Sequence, residues 1–551
     1  MDADFDEILD MIGGWGPFQK RKVTLLVVLG ALVATSGHYS VALMLFSPQF
    51  YCNSSDNWNL TNGSDPFFAY GHQFSPDSVC VERENWLRFS NYTVDDFDLS
   101  SCSESGTLKF NDEMIGKTVV TEYFLICDRQ WIVSAILIVY TIGDLLGFAH
   151  LFLIDTYGRK MVTLLAVGVH LIFSVLAVVS KSLTVFIVCK FLTSFTTDCV
   201  CAICVIWALE MVEHGRKTGI TIGLQMCFAM STAYLGLLAM FCADWKTFGL
   251  TMNILTLILY FLVLFFVPES PRWLIGKSYL SKPHPDPEKL AISIPISKLF
   301  TLPNLRAKFV LATVVFLIIK LAYYSLQYNS DKLPGNPYVV FASCGLIEMP
   351  GLLLSLPAAD RCGRVRVVSI VLALTAVAAG LVPLLEPILV MPGVSNHGPN
   401  WLLVALVAMA KMTAAVAFVL NSQVLIQHMP SSLRERGSAL SHVFVGIGYT
   451  LMPLIRYSAE SYVYGPLVII STLCLIGFLV NFMLPETSES NPPETIEDVF
   501  DTGSVGLESF QENIGGPRRE RRKTSDDDQV SAFRAVDQGL LNKKSKQSNI
   551  F

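Results

Sequence analysis

Pro268-Glu269-Ser270-Pro271-Arg272-Trp273 stands near the midpoint of the 551-residue chain, and its opening dipeptide returns at Pro485-Glu486-Thr487, 217 residues on. Each copy closes a long apolar run. Two further motifs repeat in the same order. Arg216-Lys217-Thr218-Gly219 is matched by Arg434-Glu435-Arg436-Gly437 after 218 residues, and Asp155-Thr156-Tyr157-Gly158-Arg159 by Asp360-Arg361-Cys362-Gly363-Arg364 after 205. Three short motifs at nearly one spacing predict a duplicated unit of six apolar spans, the pattern of a membrane carrier built from two repeats.

Composition agrees. The chain is 52% hydrophobic and 16% charged, with mean hydropathy +0.49, where a soluble protein carries about 25% charged residues. Runs of the length needed to cross a bilayer, about 20 apolar residues, fall at 23–46, 131–153, 161–180, 184–209, 219–242, 247–267, 308–328, 338–359, 367–390, 401–423, 437–459 and 463–484. The chain thereby divides into a terminal segment (1–22), a first six-helix bundle (23–267), a linker (268–307), a second bundle (308–484) and a polar tail (485–551). The tail's composition predicts disorder. The first span, preceded by acidic and polar residues, is expected to act as an uncleaved anchor.

Charge sets the expected orientation. Arg159, Lys160, Arg216, Lys217, Arg361, Arg364, Arg366, Arg434 and Arg436 lie in the loops after spans 2, 4, 8 and 10, whereas the loops on the opposite side are nearly free of arginine and lysine. The positive-inside rule then makes both termini cytoplasmic. The loop at 47–130, on the other side, holds the sequons of Asn53, Asn59, Asn62 and Asn91 together with Cys52, Cys80, Cys102 and Cys127. Four sequons and an even cysteine count predict a glycosylated, extracellular loop with two disulfides of open connectivity. That loop is also a candidate oligomer contact. In the tail, Arg518-Arg519-Glu520-Arg521-Arg522-Lys523 precedes Thr524-Ser525, a basic cluster for anionic lipid with two phosphorylation candidates beside it.

Ionisable residues within spans are costly, about 2.5 kcal/mol or more each, and so mark candidate sites. They are Asp144, Asp198, Lys320, Glu348, Lys411 and Arg456. Glu348 and Lys411 are a candidate interhelical pair, and Arg456 is a candidate for snorkelling. Tyr323 and Tyr324 on span 7, Trp207 on span 4, and Phe444 and Tyr449 on span 11 are candidate aromatic walls for an ammonium group. Cys199, Cys201 and Cys204 lack histidine or charge partners, so no metal is expected. Neither a cofactor, nor a nucleotide-binding loop, nor a nucleic-acid surface, nor an enzyme's catalytic constellation is legible.

The chain resembles the organic ion transporter family of the major facilitator superfamily, which includes organic cation, organic anion and carnitine transporters. The resemblance rests on Phe5-Asp6-Glu7-Ile8-Leu9 and Gly13-Gly14-Trp15-Gly16-Pro17-Phe18-Gln19, on Val120–Trp131, on Pro268–Leu274 and on Pro493–Asp498. It implies an all-α fold of twelve membrane helices in two pseudo-repeats. It also implies alternating-access transport of a small organic ion across the plasma membrane, in contact with membrane lipid. The loop charges Asp155, Arg159, Glu210, Arg216, Asp360, Arg361, Arg364 and Arg434 would form a cytoplasmic gate, with Glu210 expected on Arg216. Leu151, Thr156 and Gln427 depart from the family's motifs. Gly446 stands where cation carriers place an aspartate and anion carriers an arginine. The aromatic candidates lean toward cations or zwitterions. Anion transport, and a receptor-like protein that binds without transporting, are the alternatives.

Overall fold

The computed structural model describes residues 15–46, 50–52, 108–110, 116–126, 129–213, 216–242, 244–280, 298–330, 333, 336–389, 401–460 and 462–486. Asn53, Asn59, Asn62, Asn91, Cys80, Cys102, Cys127, Thr524 and Ser525 lie outside these residues. So does the side chain of Cys52, which ends a short strand, β1 (Phe50–Cys52), paired antiparallel with β2 (Leu108–Phe110).

The first half comprises α1 (Pro17–Met44), α2 (Trp131–Gly147), α3 (Arg159–Val179), α4 (Leu183–Leu209), α5 (Lys217–Phe241) and α6 (Trp245–Phe266). The second comprises α7 (Pro303–Tyr328), α8 (Pro337–Leu346, resuming as Glu348–Cys362), α9 (Arg364–Leu389), α10 (Trp401–Gln427), α11 (Ser431–Tyr449, resuming as Met452–Tyr457) and α12 (Gly465–Asn481). Eleven of these are long and apolar enough to cross a membrane, and α12 is a shorter apolar helix. The bundle has a linker end, where α1 begins and α6 stops, and a loop end, where α1 leads into residues 47–130.

Two expected continuous spans are broken instead. Proline lacks an N–H and its ring crowds the carbonyl four residues back. Pro350 therefore interrupts α8 after Leu346, and Pro453 interrupts α11 after Tyr449.

The repeated motifs close each half at the linker end. Gly158 and Gly363 turn the chain at φ +92° and +91°, a region that only glycine enters without strain. The freed N–H groups that open α3 then meet the Glu269 carboxylate. Arg159 N–H donates to it at 2.9 Å and Lys160 N–H at 3.0 Å. In the second copy Val365 and Arg366 donate to Glu486 at 3.3 and 3.1 Å. An anion at a helix N-terminus satisfies both the orphan donors and the helix dipole. Pro-Glu recurs because each sixth helix must staple its own third. Beyond Glu269, Ser270 Oγ caps the next helix (Pro271–Leu280) by accepting from Trp273 N–H, and the Trp273 indole donates to the Asp155 carbonyl at 2.9 Å.

Small residues let the halves approach. A Cβ on Gly236 of α5 would stand 2.9 Å from Ala342 N on α8, and one on Gly345 would stand 2.9 Å from the Ala229 oxygen. Such close backbone contact is how helices associate without a hydrophobic drive between them. At the loop end Phe46 packs on Tyr338 and Phe341, and the Tyr328 hydroxyl donates to the His38 carbonyl. Outward faces carry large apolar side chains, such as Leu165, Phe265 and Leu384, which suits a lipid solvent.

Candidate functional site

Midway along the bundle, α1, α2, α4, α7 and α11 converge on one cluster of charges. The His38 Nε2 donates to Asp198 Oδ1 at 2.7 Å, and the Lys320 ammonium donates to Asp198 Oδ2 at 3.0 Å. Asp144 stands beside them. Its donor atoms, with those of His38 and Asp198, all lie within 4.8 Å of one another. Asp144 is 2% exposed and its Oδ1 has no hydrogen-bond partner. Tyrosine rings enclose the group. Tyr324 lies 5.0 Å from the His38 ring, and Tyr449 lies 5.1 Å from Tyr324. The Lys320 ammonium sits 4.7 Å from the Tyr449 centroid. Helix periodicity explains the convergence: Lys320 and Tyr324, and likewise Tyr140 and Asp144, are four residues apart and share a face.

A second cluster lies one residue around α1 and α7, where α5, α8 and α10 meet them. Glu348 and Lys411 pair at 3.4 Å with no exposure of either side chain. The Tyr323 hydroxyl donates to Glu348 at 2.9 Å and receives the Gln225 amide at 3.0 Å. Lys411 donates to the Tyr323 carbonyl at 2.8 Å and lies on the Tyr323 ring. Tyr39, next to His38, reaches Lys411 at 3.5 Å. The two pairs differ in access. The side chain of Asp198 is 16% exposed and that of Lys320 6%. The first pair is thus the less deeply buried of the two.

The three donors His38, Asp144 and Asp198 form a set of the type that binds a metal ion, but the Lys320 ammonium already occupies the position against Asp198. A side chain supplies the balancing charge there.

Trp207 and Phe444 are not part of this site. Trp207 is nine residues, or about two and a half turns, from Asp198, so it faces the opposite side of α4. It is buried among Leu26, Val33 and Val263 in the first half's own core. Phe444 is 44% exposed and lies near Phe309. Five residues separate it from Tyr449, which puts it well around α11. Arg456 does not snorkel freely: its guanidinium donates to the Tyr328 carbonyl. A Cβ on Gly446 would meet Leu145 and Phe148 at 3.0 and 3.4 Å, so this position faces the apolar flank of α2 next to Asp144. His38, Tyr39, Tyr140 and Gln225 were absent from the sequence expectation. A histidine inside an apolar span was the available signal for the first.

The gate residues also divide. Arg159 pairs with Glu210 at 2.8 Å and with Asp155 at 3.2 Å. The expected Glu210–Arg216 pair is therefore replaced, because Arg159 reaches Glu210 with a forked guanidinium while Arg216 lies 4.0 Å from Glu213 and over the Trp15 ring. This network joins parts of the first half rather than spanning the two halves. Among the described residues, Asp360, Arg361 and Arg364 form no ion pair. Arg434 is on α11, and its side chain is outside the description.

Residues 99–283 match the family model "Sugar (and other) transporter", and residues 338–534 match "Major Facilitator Superfamily". The chain is 27% identical to an organic cation transporter protein of Drosophila melanogaster over 90% of this chain and 94% of that one. It is 24% identical to the human organic cation/carnitine transporter 2, again over 90% and 94%. It is 22% identical to a beta-alanine transporter of Drosophila melanogaster, over 90% and 89%. In fold it is similar to a D-xylose-proton symporter, with TM-score 0.53 at 13% identity, covering 85% of this chain and 99% of that one.

Proposed function

We infer that this chain, which belongs to the organic ion transporter family of the major facilitator superfamily, carries small organic cations or zwitterions across the plasma membrane by alternating access. It is a multi-pass membrane transporter of organic ions and not an enzyme. The observation that carries the cation reading is the buried Asp144 Oδ1, which has no hydrogen-bond partner, set beside the part-exposed Asp198 and near tyrosine rings. Carboxylates and ring faces are what attract an ammonium group. Relatives named for organic cations, carnitine and beta-alanine support the same reading, since carnitine and beta-alanine also carry a positive nitrogen. Lys320 and His38 supply the groups that would pair with a substrate carboxylate. In this reading the charged loops lie in the cytoplasm together with both termini, and Arg159–Glu210 holds the first half rigid while the halves rock.

The test is uptake in cells expressing the intact chain, with a panel of a quaternary ammonium, carnitine, an aromatic carboxylate and urate. Saturable uptake of the ammonium or carnitine, lost in Asp144→Asn at unchanged surface level, is expected. Uptake of the carboxylates alone would replace the reading with anion transport. Binding of a panel member without accumulation would indicate a receptor-like protein.

A further inference from the structure

We propose that Lys320 is a built-in counter-cation, standing in the substrate ammonium's place so that the carrier can reorient empty. This rests on the cation reading above and adds a mode of operation to it. The Lys320 ammonium has a carboxylate on one side, Asp198 at 3.0 Å, and ring faces on the other, Tyr449 at 4.7 Å and Tyr324 at 5.8 Å. That is the environment an organic ammonium would seek. An entering cation must therefore displace Lys320 from Asp198. The four-carbon stem of lysine, with its rotatable head, can swing aside and return.

The consequence follows from charge. With Lys320 in place, the carboxylates of Asp144 and Asp198 face one fixed ammonium and the His38 imidazole. Without it, no ammonium faces them among these groups, only the imidazoles of His38 and of His442 on α11, in the middle of a membrane bundle, where an uncompensated carboxylate is costly. A carrier lacking the lysine would change orientation only when loaded, and would become an exchanger. Lys411 has no such freedom. It is also tied to the Tyr323 carbonyl at 2.8 Å and has no exposure.

The experiment uses the full chain in proteoliposomes with labelled tetraethylammonium, comparing net entry into empty vesicles with exchange against internal tetraethylammonium. Lys320→Gln is expected to lose net entry by on the order of tenfold or more relative to exchange, and Lys320→Arg to behave as the parent. Tetraethylammonium protection of purified Lys320→Gln against heat should equal or exceed that of the parent. Equal loss of net entry and exchange, or net entry at the parental level, would overturn the proposal. Should Lys320→Gln not fold, the double variant Asp198→Asn/Lys320→Gln decides. It removes the acid with its cation and should restore the parental ratio of net entry to exchange, while a ratio shifted toward exchange refutes the idea. Failure of the cation reading itself looks different: the unsubstituted protein would then show neither activity.

Discussion

Removing one partner of the Glu348–Lys411 pair is expected to destabilise the protein strongly, and removing both is not. The pair is separated by 3.4 Å with both side chains fully buried. Coulomb's law at an effective dielectric of about 20 gives roughly 5 kcal/mol of attraction at that distance, most of which offsets the desolvation of two ions. Glu348→Gln leaves the Lys411 ammonium with only neutral oxygens, those of Tyr323 and Tyr39 and the new amide. Breaking a buried pair from one side costs about 3–5 kcal/mol, whereas replacing both members with apolar side chains of similar size is often neutral. The assay is the heating midpoint of detergent-purified protein, read by monodisperse elution, for Glu348→Gln, Lys411→Met and Glu348→Leu/Lys411→Met. The double variant should lie nearer the parent than either single one. Midpoint losses that simply add would refute the reasoning, because additive losses mean that the two residues do not act on each other.

Three further outcomes are expected. Gly158→Ala and Gly363→Ala each force a Cβ onto a positive-φ turn, within 2.5 Å of a Glu269 oxygen and 2.6 Å of the Glu486 carboxylate. Each should lower the heating midpoint by the equivalent of about 1–2 kcal/mol or more; an unchanged midpoint would contradict the turn geometry. Glu269→Gln removes the charge but not the acceptor at the start of α3 and should cost about 0.3–1 kcal/mol, well below the cost of Glu269→Ala, which removes the hydrogen bonds as well. Glycosidase treatment of protein from cell membranes should increase its gel mobility, and Asn→Gln changes at positions 53, 59, 62 and 91 together should abolish the shift. An unshifted band from the parent would refute the glycosylated loop.

The helices were legible because each span needs its own unbroken apolar run, and the repeat was legible because each half must close its linker end with the same chemistry. Glu269 and Glu486 show this most directly: a motif visible at two positions is a carboxylate needed at two helix starts. The breaks in α8 and α11 were only half legible: Pro350 and Pro453 each forbid a hydrogen bond four residues upstream, but so does Pro357, which α8 carries without a break. The partner of Glu210 was not. Arg159 and Arg216 are both basic, both near the linker end, and only the turn at Gly158 brings one of them across.

The site divides in the same way. Asp144, Asp198, Lys320, Glu348 and Lys411 stood out because charge within an apolar run is expensive wherever it points. The Glu348–Lys411 pair was expected and is present, but that Lys320 and His38 meet on Asp198 depends on how α1, α4 and α7 are rotated about their axes. His38 and Tyr39, or Tyr323 and Tyr324, are neighbours in sequence yet serve different clusters. Sequence by itself determined the twelve helices, their pairing into two repeats and the residues whose burial demands compensation. Tertiary structure alone decided that Lys320 rests on a part-exposed acid while Lys411 is fully buried, because helix rotation and packing are set by contacts between segments far apart in the chain.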